Sequence, residues 1–171
     1  MSIEIKRILV AKDLSKESSN VIRYAIELCA KFDAQLHVLH VMPTVDAAVL
    51  NMVALNMGPD TLAKLNASNE KSLAEQTRKQ LDEILSGETD LHDSDLKYPP
   101  KIEVHHGEAV PMILTTADRL DVDMIILGSH SKGRLHYAFL GSVAEKVLRR
   151  SARPVFTVPL PEGDTDLSFQ E

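Results

Sequence analysis

The sequence predicts a single α/β domain: a doubly wound, five-stranded parallel sheet with helices on both faces. Three observations predict it. Two apolar runs, RILVA within Ile5–Ala11 and MIIL within Val122–Gly128, are near-continuous rather than alternating, the pattern of strands buried on both faces. These are two of five short apolar runs, separated by segments with helical apolar spacing. The resulting β-α-β-α-β-α-β-α-β order implies right-handed crossovers and a parallel sheet. A chain of 171 residues fits one domain and is long enough for a sizeable core.

The expected strands are Ile5–Ala11, Gln35–Met42, Lys101–His105, Val122–Gly128 and Pro154–Pro159. The first helical stripe is Val21, Ala25, Leu28, Cys29 and Phe32, and it places Cys29 in the core beside Tyr24 and Phe32. The second, less clean, is Leu62, Leu65, Leu73, Gln80, Leu81, Ile84 and Leu85. The third is Val110, Ile113, Leu114, Ala117 and Leu120. The fourth is short: Val143, Val147 and Leu148. Ser142-x-x-Glu145 reads as a capping box, starting the last helix near Ser142. Pro43–Asp60 is apolar and methionine-rich. It suits either a short helix packed on the body or a lid or partner surface, since methionine adapts to varied shapes. Residues 87–100 read as a polar loop and 161–171 as a flexible acidic tail.

Net charge is −6, which gives a nucleic-acid role no electrostatic support. The one cysteine excludes an intramolecular disulfide framework, in keeping with a reducing compartment. The N-terminus lacks an apolar signal region, and no run approaches the ~20 residues that span a bilayer. A cytoplasmic protein without a membrane partner is expected. The seven histidines make no metal site by spacing. His105 and His106 point to opposite faces, His37 and His40 diverge, and all four read as strand-edge or surface residues.

In a doubly wound sheet, ligands bind beyond the C-terminal ends of the strands. Asp13 directly follows the first strand. Its carboxylate can accept hydrogen bonds from a ribose hydroxyl or a base amino group; it can equally cap the next helix, with Ser15 competing. The fourth strand runs into Gly128, a polar loop with Lys132, Gly133 and Arg134, and then Gly141-Ser142 at a helix start. A strand, a glycine-bearing loop and a helix N-terminus direct amide groups and the helix dipole at an anion. Ser129 and Ser142 add hydroxyls. The expectation is a nucleotide-binding protein. No nucleophile elbow, C-x-x-C pair or P-loop is present.

The runs RILVAKD, QLHVLHVM, VHHGEAVPMILTTADRLDVDMIILGSHS and FLGSVAEKVLRRSARPVFTVP resemble the universal stress protein family. The resemblance covers most of the chain outside 43–100, which reads as a longer insert in a domain of about 1–160. It implies strand order 3-2-1-4-5 and, as in many members, ATP bound through G-x-x-G-x9-G-[ST], with magnesium as a companion ion. On this chain Gly128 matches the first glycine of that motif. Gly141 and Ser142 match its last two members, and Ser129 and Val143 adjoin them. Asp13 matches the aspartate that holds adenine and ribose, Val41 the strand-two residue whose backbone meets adenine, and Ala11 a position often proline or alanine. One position departs: Ser131 replaces the second glycine. At positive φ a serine there costs roughly 1 kcal/mol or more. In ordinary backbone it offers a hydroxyl, and Gly133 can take the turn. The resemblance also implies a homodimer through the last strand, 154–159, whose unpaired edge suits pairing. No activated nucleophile stands out, so fast catalysis is not implied. Ser129, Ser131 or Ser142 are the candidate acceptors if phosphate is transferred. The S-G-G-x-D loop of ATP-cleaving relatives is absent.

Overall fold

The computed structural model describes residues 3–13, 19–44, 55, 59–92, 96–129 and 140–159, with side chains of the long helix from 70 to 87. Ser15, Ser131, Lys132, Gly133, Arg134, the 161–171 tail and most of Pro43–Asp60 lie outside that description, as do the side chains of Leu62 and Leu65.

The elements run β1 (Arg7–Ala11), α1 (Ser19–Phe32), β2 (Gln35–Met42), α2 (Pro59–His92), β3 (Lys101–His106), α3 (Ala109–Arg119), β4 (Met124–Gly128), α4 (Ser142–Arg150) and β5 (Val155–Val158). All sheet pairings are parallel and the strand order is β3-β2-β1-β4-β5. The chain builds outward from β1 to β3, then crosses back to lay β4 on the other side of β1. That reversal puts the switch point between β1 and β4, where Ala11 pairs with Leu127.

Strand alternation divides the core into two layers. Ile8, Val10, Leu36, Val38 and Ile126 face α1 and α2, meeting Val21, Ile22, Ala25, Ile26, Leu81 and Leu85. Leu9, Leu39, Ile125 and Leu127 face α3 and α4, meeting Val110, Ile113, Ala117, Ala144 and Val147. Asp123 ties β1 to β4: one carboxylate oxygen accepts the amides of Lys6 and Arg7, each at 2.8 Å. Cys29 is fully buried, and burial pushes its thiol up to about 12, so it packs as a small apolar residue.

Several helix details differ from the sequence expectation. Tyr24 and Phe32 are exposed rather than core: the buried face of α1 is Val21, Ile22, Ala25, Ile26 and Cys29, and Tyr24 packs sideways on Phe156 with ring centroids 6.1 Å apart. In α2, Leu73 and Gln80 are exposed and Thr77 is buried with Leu81 and Leu85. The Thr77 hydroxyl donates to the Met42 sulfur at 3.6 Å, so a polar residue serves the apolar face. The helix also runs on through Gly87 to His92, where a loop was expected. In α4, Val143 and Leu148 are exposed, and the buried face is Ala144 and Val147. His37 and His40 are buried, not surface residues, because β2 is an inner strand covered on both faces. They do face opposite layers, as period-two alternation requires.

Candidate functional site

A cavity of about 180 Å³ opens at the switch point. It is built from three strand ends and one helix start. The end of β1 supplies Ala11, Lys12 and Asp13; β2 supplies Leu39, His40 and Val41; β4 supplies Leu127 and Gly128; and the start of α4 supplies Gly141, Ser142, Val143 and Ala144. Val21, Ala109 and Ile113 close the apolar wall. Parallel register explains the convergence. With Ala11 beside both Leu39 and Leu127, the next residues of all three strands emerge side by side.

Most of the residues singled out by sequence, namely Ala11, Asp13, Val41, Gly128, Gly141, Ser142 and Val143, share this one cavity. Two do not join it in view. Ser131 lies outside the described residues. Ser129 is buried and is not among the residues lining the cavity; its amide donates to the Val158 carbonyl at 2.8 Å and its carbonyl accepts the Gly141 amide at 2.6 Å.

That last bond corrects the reading of the helix start. Gly141 is the N-cap of α4, and Ser142 is the first helical residue. No side-chain cap bond forms, so the Ser142–Glu145 pair is not a capping box: a residue already inside the helix cannot reach forward to cap it. Instead the Glu145 amide donates to the Gly141 carbonyl at 2.9 Å. The Gly141 N–H, expected to face an anion, is committed to Ser129. The amides of Ser142, Val143 and Ala144 are the ones that helix geometry leaves without an intrahelical acceptor. They sit on the cavity wall at the positive end of the dipole.

Sequence reading passed over two polar residues of the cavity. Lys12 is only 5% exposed, and its amide donates to the Leu39 carbonyl at 3.0 Å. His40 is 9% exposed and its Nδ1 lies 2.8 Å from the Lys12 carbonyl oxygen. Alternation continued past Ala11 puts Lys12 on the same side as Ile8 and Val10, but its place in the cavity depends on β2 lying alongside β1. Among the described residues, no group of three or more His, Cys, Asp or Glu side chains could hold a metal. No helix among them is long and apolar enough to cross a membrane.

A cleft with a carboxylate on one side and helix amides on the other, walled by apolar side chains, suits a molecule with a polar ring system and an anionic end. The comparisons agree with that architecture. The model of the Universal stress protein family matches residues 4–159, running through the segment expected to be an insert. Universal stress protein MJ0577 of Methanocaldococcus jannaschii is 28% identical over 165 residues, covering 92% of this chain and 97% of its own length. Universal stress protein A homolog 2 of Coxiella burnetii is 30% identical over 154 residues, covering 90% and 94%. The solved structure of the MJ0577 protein superposes with a TM-score of 0.71 at 22% identity, covering 94% of this chain and all of that one. A universal stress protein in complex with cAMP has a TM-score of 0.58 at 18% identity, covering 92% and 99%. One from Archaeoglobus fulgidus in complex with dAMP has 0.51 at 19%, covering 91% and 98%. With the sheet order, the switch-point cavity and the family match in agreement, the chain belongs to the universal stress protein family.

Proposed function

We infer that this protein binds an adenine nucleotide, ATP in the first instance, in the switch-point cavity, and that it acts as a nucleotide-responsive module in a stress response rather than as a fast enzyme. The observation that carries the reading is the convergence of Asp13, Val41 and the first turn of α4 on one cavity. Asp13 accepts hydrogen bonds from the sugar or base, the Val41 backbone flanks the base, and the amides of Ser142 to Ala144 take a phosphate. The cAMP and dAMP complexes of two relatives support an adenine nucleotide. Magnesium in this reading comes with the phosphates, since it keeps several waters and is held largely by substrate phosphate oxygens, while Asp13 serves the sugar or base.

The proposed assembly is a homodimer in the cytoplasm, paired through β5. That strand has β4 on one side only, and a sheet edge with unpaired backbone groups is a template for a second copy. Neither nucleic acid nor membrane is a partner in this reading, given the net charge of −6.

A second reading, a nucleotide-free interaction module, draws on the bond from the Gly141 amide to the Ser129 carbonyl and on serine at position 131. Mass spectrometry of small molecules released from freshly purified, denatured protein separates the two. The nucleotide reading expects an adenine nucleotide at up to one per chain. Repeated absence of any nucleotide, with no uptake from added ATP, ADP or AMP, leaves the module reading standing. Slow hydrolysis or self-phosphorylation on Ser129, Ser131 or Ser142 is read from the same preparation with labelled ATP, where unlabelled protein and intact ATP dismiss it.

A further inference from the structure

The polar residue of the cavity with the most defined chemistry is His40. It is nine-tenths buried and lines the cavity beside Lys12, Asp13 and Val21. Its Nδ1 meets the Lys12 carbonyl oxygen at 2.8 Å. A carbonyl only accepts, so Nδ1 carries the proton, and in the neutral ring Nε2 is left as an acceptor. Among the described residues the ring makes no second hydrogen bond. The ring is also held in place before any ligand arrives. The Lys12 amide bonds to the Leu39 carbonyl at 3.0 Å, so the same residue is tied to β2 through its amide and its carbonyl, one residue before Asp13. Such preorganisation removes part of the ordering cost of binding.

We propose that His40 is a specificity-determining residue of this cavity: its Nε2 accepts an N–H from the exocyclic amine of a nucleobase, so the site takes a 6-aminopurine and rejects a 6-oxopurine. The proposal rests on the nucleotide reading above and adds the group that reads the base. A 6-oxo group is itself an acceptor. Set against Nε2, it leaves two acceptors facing each other in a largely buried place, where an unmade hydrogen bond is costly. A sugar hydroxyl is a donor common to both nucleotides. The 6-oxopurine also carries an N1–H, one ring position away from the exocyclic group, so it reaches Nε2 only if the base shifts in its seat.

The test compares adenosine and inosine 5′-monophosphate by titration calorimetry on the whole chain. Wild type is expected to bind the adenosine nucleotide about three- to tenfold more tightly. In His40→Asn the amide NH2 stands in for Nδ1–H and keeps a donor for the Lys12 carbonyl, but nothing replaces Nε2. Its expected result is equal affinity for the two nucleotides, reached by loss on the adenosine side and relief of the opposed acceptors on the inosine side. His40→Gln, which places an amide oxygen near the Nε2 position, is expected to retain discrimination, and it keeps the test open if His40→Asn fails to fold. Discrimination that survives in His40→Asn overturns the proposal, as does discrimination lost in a folded His40→Gln. An equal loss for both nucleotides in His40→Asn assigns Nε2 to a sugar hydroxyl and overturns base reading. Wild type that binds both nucleotides equally overturns the proposal while leaving the nucleotide site intact. Wild type that binds neither sinks the nucleotide reading itself.

Discussion

His37 is 4% exposed and its Nδ1 is buried without a partner among the described residues. Burial, with Lys101 next, holds its pKa below the ordinary 6.5. Glu103 lies on the same face of the neighbouring strand. Burial pushes its carboxyl up, but hydrogen bonds from His105 and Arg119 outweigh that and bring it below the ordinary 4.5. The signs agree. For His37 the unfolded state binds the proton more readily, so stability is full above about pH 6.5 and falls as pH drops toward the lower folded value. For Glu103 the stabilisation is present above about pH 4.5 and lost as pH falls through its folded value. The thermal midpoint is therefore expected to fall on acidification below about pH 6.5. His37→Leu should flatten the upper part of that decline and Glu103→Gln the lower part; a slope below pH 6.5 unchanged in His37→Leu contradicts the assignment. Gly107 gives a second residue-scale prediction. Its φ is +143°, and an added Cβ would lie 3.2 Å from Met112 Cγ. Gly107→Ala should cost about 1–3 kcal/mol in denaturant unfolding, whereas a change under about 0.5 kcal/mol would show that the turn tolerates a side chain.

At the scale of elements, α2 is docked by few side chains. Among its described residues only Thr77, Leu81 and Leu85 are buried. Leu81→Ala should cost about 2–5 kcal/mol, read as a shift in urea midpoint, and a shift worth less than about 1 kcal/mol would mean the helix is held elsewhere. The edge strand β5 carries the second prediction at this scale. The Pro154 and Val158 carbonyls accept the amides of Ile125 and Ser129. In a parallel ladder the outward backbone groups then belong to Val155 and Thr157. Thr157→Pro removes an outward donor while sparing the β4 pairing, so it should shift a dimer toward monomer in sedimentation without loss of fold. A monomeric wild type, or a dimer unmoved by the change, argues against pairing through β5. Sequence periodicity located every strand and the third helix closely, because their apolar residues follow regular, short-range spacing, even where, as in β3 and β5, few of them are fully buried. It failed where burial was set by neighbours. Tyr24 rests on Phe156 outside the core, Thr77 serves as an apolar-face residue through Met42, and Gly87 stayed helical despite its composition.

For the whole molecule, alternation of strand and helix was enough to give a parallel α/β sheet. The strand order was not legible from spacing; it came from resemblance, and the structure bears it out. The site divides along the same line. Asp13, Gly128, Gly141 and Ser142 were visible because strand ends and a helix start are local signals. Lys12 and His40 were not, because their place in the cavity depends on β1 and β2 lying side by side. The diversion of the Gly141 amide to Ser129 likewise depends on how β4 meets α4. The central claim is that this junction holds an adenine nucleotide, and titration calorimetry of the nucleotide-stripped protein with ATP tests it most directly. The account predicts saturable binding at one ATP per chain, weakened about tenfold or more in Asp13→Ala, where a charged hydrogen-bond acceptor is lost. Absence of saturable heat with ATP, and equally with ADP and AMP, would contradict it.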